Sequence, residues 1–402
     1  MGGLMLAGES IFMLPYMRKT FQTSMESVFQ VSSTELGLLN SLFGVAALIC
    51  YLPSGWLADR FSARKLLTLA LVSTGAGGLV LLTQPDFTGL LALHAFWGVT
   101  SILMFWAALI KATREWGRPE TQGLSFGLLD AGRGVAAAVL ASLATAGFAL
   151  AGSTHGGLNN VIWVYSMAPL VAAVVIWRVV PDALYAGERR DEALAGERAS
   201  VRQALAKPTV WLQAVAIFCA YMLFLGTYEF PAFAEKAYGH SKTFGAVLGT
   251  ARDWMRPVAA LGAGLLADRL LPSRAIGGAF ALLATVFASL LLVPPTTGGL
   301  GLFWVQVIGA GLAVFALRGI YFAVMEEAGI PHYLTGTTVG FVSLVGFFPD
   351  TFAHLLAGWF ADSFPGVLGY RYYFGVLAAV AGLGLAAAVG LRLLSRRTAP
   401  SS

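Results

Sequence analysis

Long apolar stretches, each interrupted by only a few charges, dominate this sequence of 402 residues. A helix needs about 20 mostly apolar residues to cross a bilayer, and its backbone groups must be hydrogen bonded within the segment. About twelve stretches meet this requirement, which predicts an all-α integral membrane protein with twelve transmembrane helices. They lie near residues 3–28, 34–56, 66–84, 88–113, 122–150, 157–180, 209–233, 243–267, 275–294, 300–325, 334–362 and 370–394.

The composition excludes several classes of protein. The chain is 57% hydrophobic and 12% charged, whereas a soluble globular protein carries about 25% charged residues. The net charge of +5 is small for a nucleic-acid binder, so we expect no nucleic-acid partner. The two cysteines, Cys50 and Cys219, lie inside apolar stretches and indicate neither a disulfide framework nor a metal site. A phosphate-binding GxxxxGK[ST] loop does not occur in the sequence, and we expect neither a cofactor nor an enzymatic activity.

The distribution of Lys and Arg predicts the orientation in the membrane. The loops near Pro85, His155 and Pro295 contain neither residue, and the main basic residues on that side are Lys236, Lys242 and Arg371. Because cytoplasmic loops carry an excess of positive charge, we expect both termini in the cytoplasm, without a cleavable signal peptide. The opposite loops and the tail hold Arg60, Arg64, Lys65, Arg114, Arg118, Arg189, Arg190, Arg198, Arg202, Lys207, Arg269, Arg274, Arg396 and Arg397.

A charged turn occurs twice in the chain. "GWLADRFSARK" covers residues 55–65, and "GLLADRLLPSR" covers residues 264–274, an offset of about 209 residues. "TQGLSFG" and "LTGTTVG" align with Gly123 over Gly336, an offset of about 213. Such spacing is typical of two parallel repeats of six helices. We therefore predict bundles over 1–180 and 209–402, joined by a charged cytoplasmic linker over 181–208.

The Gly-x-Leu-Ala-Asp-Arg pattern, followed by Arg-Lys, resembles the signature loop of the major facilitator superfamily. The resemblance covers essentially the whole chain and implies a secondary transporter in which this loop helps to close the cytoplasmic side. Ser62 stands where members of the family usually have glycine. A simpler interpretation is that the charges only anchor the topology. The gating residues that the resemblance implies are Gly55, Asp59, Arg60, Arg64, Gly264, Asp268 and Arg269.

Two further motifs resemble the organophosphate:phosphate antiporter branch, which contains the glycerol-phosphate and hexose-phosphate transporters. "YMRKTF" matches the first-helix motif of that branch and places Arg18 in the central cavity. "FWAALIKATREWGRPETQG" keeps its spacing from a tryptophan through Lys111 to Gly123, and Arg133 stands where the branch has a substrate-site histidine. The second cavity arginine of the branch is Phe224 here. The resemblance therefore implies an anionic substrate, while the missing arginine weakens the case for a phosphate.

Ionisable groups inside a span are costly and usually functional. For each of them a structural interpretation stays open. Arg18 could snorkel, Asp130 and Arg133 could neutralise each other at i,i+3, and Arg318 could pair with Glu326 or Asp350. Lys111 could form a structural salt bridge, and Glu229 could be solvated. The candidates for substrate binding are Arg18, Arg133, Arg318, Lys111 and Tyr221, and those for proton coupling are Asp130, Glu229 and Asp350.

These observations favour a transporter that moves a small organic anion, similar to a sugar phosphate or a sugar acid, by alternating access. Two alternatives stay open. One is a proton-coupled symporter or exporter of another small solute, and the other is a membrane sensor that binds its ligand without moving it. We expect a monomer with many spans in the inner (plasma) membrane of a bacterium.

Overall fold

The computed structural model describes residues 1–116, 122–182, 206–267, 272–295, 299–320 and 342–398. Within these ranges the regular structure is entirely helical. The chain divides into two compact units that are not contiguous in sequence. Unit 1 comprises Met1–Ala186, Tyr228–Trp254 and His354–Ser363. Unit 2 comprises Gly187–Thr227, Met255–Ala353 and Phe364–Ser402.

The first part of unit 1 is built from eight α-helices. A π-helical stretch, Val99–Trp106, continues directly from α5 into α6. The helix α4 packs along α8, and α1 packs against α7 and α8. The helices are α1 (Gly2–Met13), α2 (Arg18–Phe29), α3 (Ser33–Arg60), α4 (Ala63–Val80), α5 (Phe87–Gly98), α6 (Ala107–Trp116), α7 (Gln122–Leu150) and α8 (Thr154–Val179).

Of the later helices, α10 and nearly all of α14 lie in unit 1, α11 is divided between the units after Trp254, and the others lie in unit 2. In unit 2, α12 packs along α15, and α9 packs against both α13 and α15. The helices are α9 (Pro208–Gly226), α10 (Phe230–Tyr238), α11 (Lys242–Ala267), α12 (Pro272–Leu292), α13 (Leu300–Ile320), α14 (Ala353–Ser363) and α15 (Leu368–Thr398).

Side-chain caps fix where three of the helices in unit 1 begin. Ser32 and Glu35 form a reciprocal capping box at the start of α3, in which each side chain accepts a hydrogen bond from the other residue's backbone. Asp86 caps α5 and Ser153 caps α8, each by accepting from the third residue after it. Such caps satisfy N–H groups that have no partner within the helix.

The first hydrophobic segment is broken rather than continuous. The chain leaves α1 at Met13 and enters α2 at Arg18 through a turn over Leu14–Met17 that contains Pro15. Proline has no backbone N–H, so Pro15 removes one donor from the helical hydrogen-bond ladder. The buried Asn40 side chain donates to the Pro15 carbonyl at 2.8 Å. Because of this break, Arg18 and Lys19 lie at the start of a new helix.

Nine helical stretches in the described residues are long and apolar enough to span a membrane. Three of the twelve predicted segments are not among them. The segment near 3–28 is interrupted at Leu14–Met17, α11 carries Arg252, Asp253 and Arg256, and much of 334–362 lies outside the described residues. The nine are Ser33–Tyr51, Ala63–Thr83, Phe87–Thr113, Gly127–Leu150, Thr154–Val179, Pro208–Tyr238, Ser273–Leu292, Leu300–Ile320 and Leu368–Leu394.

Unit 1 therefore combines the N-terminal helices with two pieces from the second half of the sequence. The backbones approach closely where these pieces pack. The carbonyl of His354 lies against the Cα of Gly37, and the Ser33 carbonyl lies against Gly358, where a Cβ would overlap with each oxygen. The division into bundles over 1–180 and 209–402 stays a prediction from the repeat, and the predicted linker lies mostly outside the described residues.

Candidate substrate site

The start of α2 places two basic side chains in the interior of unit 1. Arg18 is 3% exposed and Lys19 is 7% exposed. Two buried cations at adjacent positions are costly in an apolar environment unless each is paired. Their partners come from Tyr228–Trp254 and from α14, which are distant in sequence.

Arg18 is held by Glu229 and His354. Its Nη2 donates to Oε1 of Glu229 at 2.8 Å, and its Nη1 lies 3.3 Å from Nδ1 of His354. Glu229 is only 1% exposed. The structure thus excludes a snorkelling Arg18 and a solvated Glu229, two of the structural interpretations that the sequence left open.

The next residue of α2, Lys19, forms a second ion pair. Lys19 Nζ donates to Oδ2 of Asp253 at 2.7 Å, and Nη2 of Arg252 lies 3.6 Å from the other oxygen of Asp253. The Arg252 guanidinium also lies 4.4 Å from the ring centroid of Tyr228, a favourable cation–π arrangement. We call the six residues Arg18, Lys19, Glu229, Arg252, Asp253 and His354 the Arg18 cluster. With His354 neutral, its three cations exceed its two carboxylates by one charge.

Aromatic rings surround the Arg18 cluster. Tyr228 stacks on the His354 ring with 5.7 Å between centroids, and Tyr16 meets both rings at 6.2 Å. Tyr16 also packs edge-on against Phe43 at 5.2 Å. The cluster therefore combines charged groups with flat apolar faces, the combination by which small-molecule sites both bind and orient a ligand.

Arg133 lies elsewhere in unit 1, where α7 packs on α1. Its Nε donates to the Gly8 carbonyl at 2.9 Å and lies 3.4 Å from Oε2 of Glu9. The guanidinium is 5.8 Å from the ring centroid of Phe12 and 5.6 Å from that of Trp106. Phe12 packs on Tyr16, with 6.5 Å between centroids, so a line of rings connects Arg133 with the Arg18 cluster. Asp130, one turn before Arg133, is exposed.

A group of polar residues extends from the Arg18 cluster towards the end of α2. Gln22 Nε2 donates to Oε1 of Glu26 at 3.0 Å, and Lys236 Nζ lies 3.2 Å from Oε2 of Glu26. The Ser33 hydroxyl also donates to Glu26, and the Thr23 hydroxyl donates to Glu235. Gln22 lies against Glu229 as well, and thus connects the two glutamates.

Three of the predicted site residues belong to unit 2. The Tyr221 hydroxyl donates to Oδ2 of Asp350 at 2.9 Å. The half-buried guanidinium of Arg318 lies 4.1 Å from the Phe224 ring centroid and 5.9 Å from that of Tyr221. Among the described residues, no carboxylate lies within 4.0 Å of Arg318. Phe224 is thus the ring under Arg318, at the position where the antiporter branch has an arginine.

The predicted gating residues are only partly described. Arg64 Nη2 lies 2.8 Å from Oδ2 of Asp182, and the Arg60 guanidinium lies 3.9 Å from the Trp56 ring centroid. Gly55 is exposed within α3, and Lys111 Nζ donates to the Ala58 carbonyl of the same helix at 2.8 Å. The side chain of Asp59 is not described. Gly264 lies in α11, while Asp268 and Arg269 lie outside the described residues.

Sequence reasoning did not select Lys19, Arg252, Asp253 or Gln22 for the site. A lysine directly after Arg18 and an Arg-Asp dipeptide inside an apolar segment are visible signals, because charges are rare in spans. Nothing in the sequence indicates that these two signals belong together, since they lie 234 positions apart.

Comparison with known proteins identifies the family. The family model described as Major Facilitator Superfamily matches residues 3–353. The chain belongs to the major facilitator superfamily. This family member is a membrane transporter and not an enzyme, and its helical architecture is the major facilitator fold.

Two relatives from Escherichia coli K12 match almost the whole chain. The inner membrane protein YqcE is 30% identical, with 98% of this chain and 94% of the relative covered. The inner membrane protein YihN is 29% identical over the same shares. Together with the spans, they indicate a multi-pass inner membrane protein. The organophosphate:phosphate antiporter branch is not singled out by these relatives.

Solved structures support the fold. A D-xylose–proton symporter has a TM-score of 0.77 at 12% identity, with 96% of this chain and 95% of that chain covered. A bacterial homologue of the human lysosomal transporter Spinster has a TM-score of 0.74 at 18% identity, with 99% and 98% covered. At such low identity the likeness concerns the fold alone.

Proposed function

We propose that this secondary transporter moves a small organic anion and that Arg18 is the group that binds its negative charge. The observation that carries the proposal is the buried ion pair between Arg18 and Glu229, 2.8 Å long. The guanidinium of Arg18 already binds the carboxylate of Glu229, so its geometry suits a carboxylate of the substrate as well. A carboxylate, phosphate or sulfonate of the substrate takes the place of Glu229.

The net positive charge of the Arg18 cluster favours an anionic substrate over a cationic one. Its three cations exceed its two carboxylates by one, so a bound anion neutralises the cluster and a bound cation adds to the excess. In a low-dielectric interior this difference is large, because charges there are only weakly screened from one another. The Arg252 and Lys19 side chains both lie against Asp253.

The rings beside Arg18 supply the apolar part of the site, as its guanidinium supplies the charged part. Tyr16, Tyr228 and the His354 ring form apolar faces next to the guanidinium. They suit a compact organic body attached to the anionic group. A relative from Escherichia coli K12, the 3-(3-hydroxy-phenyl)propionate transporter, is 28% identical over 40% of this chain and 39% of its own length. Its named substrate has this combination of a carboxylate and a ring.

The same contacts suit alternating access. The Arg18 and Lys19 ion pairs join α2 to Tyr228–Trp254, and α14 contributes His354. When a substrate anion replaces Glu229 as the partner of Arg18, the Arg18–Glu229 ion pair is lost and the Lys19–Asp253 ion pair remains. Substrate binding therefore changes the free energy with which the two segments hold together, as a transport cycle requires.

The test is thermal unfolding of the detergent-purified protein with a panel of solutes. The panel holds glucose 6-phosphate, gluconate, 3-(3-hydroxyphenyl)propionate and inorganic phosphate, with xylose and uridine as neutral solutes. A ligand at 100 times its dissociation constant stabilises the native state by about 2.7 kcal/mol. We expect one or more anions, and neither neutral solute, to raise the unfolding temperature.

Variants show whether Arg18 carries the binding. Arg18→Ala is expected to abolish the stabilisation, and Arg18→Lys to weaken it, because lysine keeps the charge but loses the planar fork. The control is Arg371→Ala, which removes a part-buried arginine outside the Arg18 cluster, whose Nη2 donates to the Leu291 carbonyl at 2.7 Å. Equal stabilisation of all variants by xylose or uridine would contradict the proposal.

A further inference from the structure

The outer surface of unit 1 has an exposed stripe on each of two neighbouring helices, α4 and α8, which pack along each other. Both helices are long and apolar enough to span the membrane, so these stripes face lipid. Each stripe is apolar along its length and finishes in a basic residue. On α4 the stripe consists of Val80, Ala76, Val72, Leu69 and Lys65, and on α8 it consists of Val171, Val174 and Arg178.

The basic ends of the two stripes lie together. The guanidinium of Arg64 lies 4.7 Å from the ring centroid of Trp177, which links the start of α4 to the end of α8. Lys65 and Arg178 are exposed on either side of this contact. We call Arg64, Lys65, Trp177 and Arg178 the basic edge. The two spans begin at Ala63 and end at Val179, so the basic edge lies at the level where lipid headgroups meet the hydrocarbon.

The positive charge of the basic edge is only partly compensated. Oδ2 of Asp182 lies 2.8 Å from Nη2 of Arg64 and 3.5 Å from Nζ of Lys65, so one carboxylate serves two cations. Among the described residues, no carboxylate lies within 4.0 Å of Arg178. Three cations therefore exceed one carboxylate by two charges, beside an apolar surface.

The opposite end of the same two helices is different. The Gln84 side chain, just after the span of α4, is hydrogen bonded to His155 in the first turn of α8, and Asn159 contacts the same imidazole. None of these residues is a lysine or an arginine. The surface that α4 and α8 share is thus basic at one end only.

We propose that the basic edge is a binding site for an anionic phospholipid, whose phosphate binds Arg64, Lys65 and Arg178 and whose acyl chains lie along the two apolar stripes. A lipid fits better than a free phosphate because the apolar surface continues directly from the cations. Leu69 lies one turn from Lys65, and Val174 lies one turn from Arg178. The half-exposed indole of Trp177 supplies a flat ring at headgroup level, where tryptophan is favoured.

This site is independent of the anion that the transporter moves, because it contains no residue of the Arg18 cluster. The distribution of basic loops predicts that it faces the cytoplasmic leaflet, whose anionic lipids attract basic residues near the membrane surface.

The experiment is native mass spectrometry of the detergent-purified protein, titrated with phosphatidylglycerol or with phosphatidylethanolamine that has the same acyl chains. We expect phosphatidylglycerol to bind at least about fivefold more tightly, the factor that one basic residue near a membrane surface provides. Glycerol phosphate, which has the phosphate without acyl chains, is added as a competitor and is expected not to displace the lipid.

Variants of exposed residues show whether the basic edge carries the binding. Lys65→Gln and Arg178→Gln are each expected to reduce the affinity for phosphatidylglycerol about fivefold. Asp182→Asn is expected to raise the affinity, because it removes the carboxylate that competes with the phosphate. The matched control is Arg274→Gln, since Arg274 is exposed at the start of α12 and corresponds to Lys65 in the second charged turn. It is expected to leave the affinity unchanged.

Four results would overturn the inference. Equal affinity for the two lipids would show that the headgroup charge is not selected. An equal loss in Lys65→Gln and Arg274→Gln would show a general attraction to surface charge instead of a site. Displacement by glycerol phosphate would show that the apolar stripes contribute nothing, and a lower affinity in Asp182→Asn would show the wrong sign.

Discussion

Lys19 and Asp253 form a buried ion pair, with Nζ 2.7 Å from Oδ2, across 234 positions of sequence. Asp253 also lies 3.6 Å from Arg252, so one carboxylate serves two cations. Removing Lys19 therefore leaves Asp253 with Arg252, whereas removing the Asp253 carboxylate takes it away from both cations.

The first prediction concerns that asymmetry. Breaking a buried pair costs about 3–5 kcal/mol. We expect Asp253→Asn to lower the free energy of unfolding by about this amount, since it leaves both cations without their carboxylate. Lys19→Met is expected to cost less, because Asp253 keeps Arg252. A double-mutant cycle by denaturant unfolding measures both values, and equal losses for the two single variants would count against the shared carboxylate.

The second prediction concerns the break in the first helix. Asn40→Ala leaves the Pro15 carbonyl without its donor in the interior, and such a loss costs about 1–3 kcal/mol. Asn160→Ala is the matched control, since Asn160 donates to the Gly147 carbonyl at the same 2.8 Å but is exposed. The Gly147 carbonyl lies in the last turn of α7, where water at the membrane surface can replace the Asn160 side chain. We expect thermal unfolding to show a clear loss for Asn40→Ala and little change for Asn160→Ala; the reverse order would contradict the role given to Asn40.

The third prediction concerns close backbone packing within unit 1. A methyl group at Gly37 meets the His354 carbonyl, and one at Gly358 meets the Ser33 carbonyl. We expect either alanine variant to reduce the unfolding temperature and the rate of transport, because the helices must move apart. Overpacking of this kind typically costs about 1–3 kcal/mol.

Gly55 provides the control for these glycines. Nothing lies within 4 Å of a Cβ at this position, and alanine is favoured over glycine inside a helix by about 1 kcal/mol. Gly55→Ala is therefore expected to keep or raise the unfolding temperature. A marked loss of transport with unchanged stability would instead support the gating role that the family resemblance implies for Gly55.

The fourth prediction concerns pH. The Ser62 hydroxyl and then the charge of Arg64 hold the pKa of the exposed Asp182 carboxyl below its ordinary value. A lowered folded-state pKa stabilises the protein above the ordinary value of about 4, and this contribution is lost as the pH falls through the lowered value. The parent should therefore melt above Asp182→Asn at pH 7, and the difference should close in acid. A difference that grows in acid would show the opposite sign.

The sequence predicted the membrane class and most of the spans, and it selected both Arg18 and Glu229, whose side chains form one ion pair in the structure. Hydrophobic length and rare internal charges are local signals, so they can be seen without a structure. The family is confirmed by comparison with known proteins. The assignment to the organophosphate:phosphate antiporter branch depended on short motifs such as "YMRKTF", and the relatives do not specifically support it.

What could not be predicted is which charges meet. Glu229 lies 211 positions from Arg18, and the sequence offered Asp130, Glu326 and Asp350 as other acidic groups in spans. The cation–π position of Arg318 above Phe224 was equally invisible. Pairings of this kind depend on how helices pack, and a single sequence does not carry that information.

The composition of unit 1 has a consequence for how the chain is made. Arg18 and Lys19 enter the membrane with the first segment, but their carboxylates arrive with Glu229 and Asp253, and His354 arrives near the end of synthesis. Until then, two positive charges stay in or beside the bilayer without their final partners, at a cost of about 2.5–3.5 kcal/mol each at the centre of a helix. The nascent N-terminal segment is therefore expected to wait at the membrane surface or beside the insertion machinery. Its final depth in the bilayer is decided by helices that the ribosome has not yet produced.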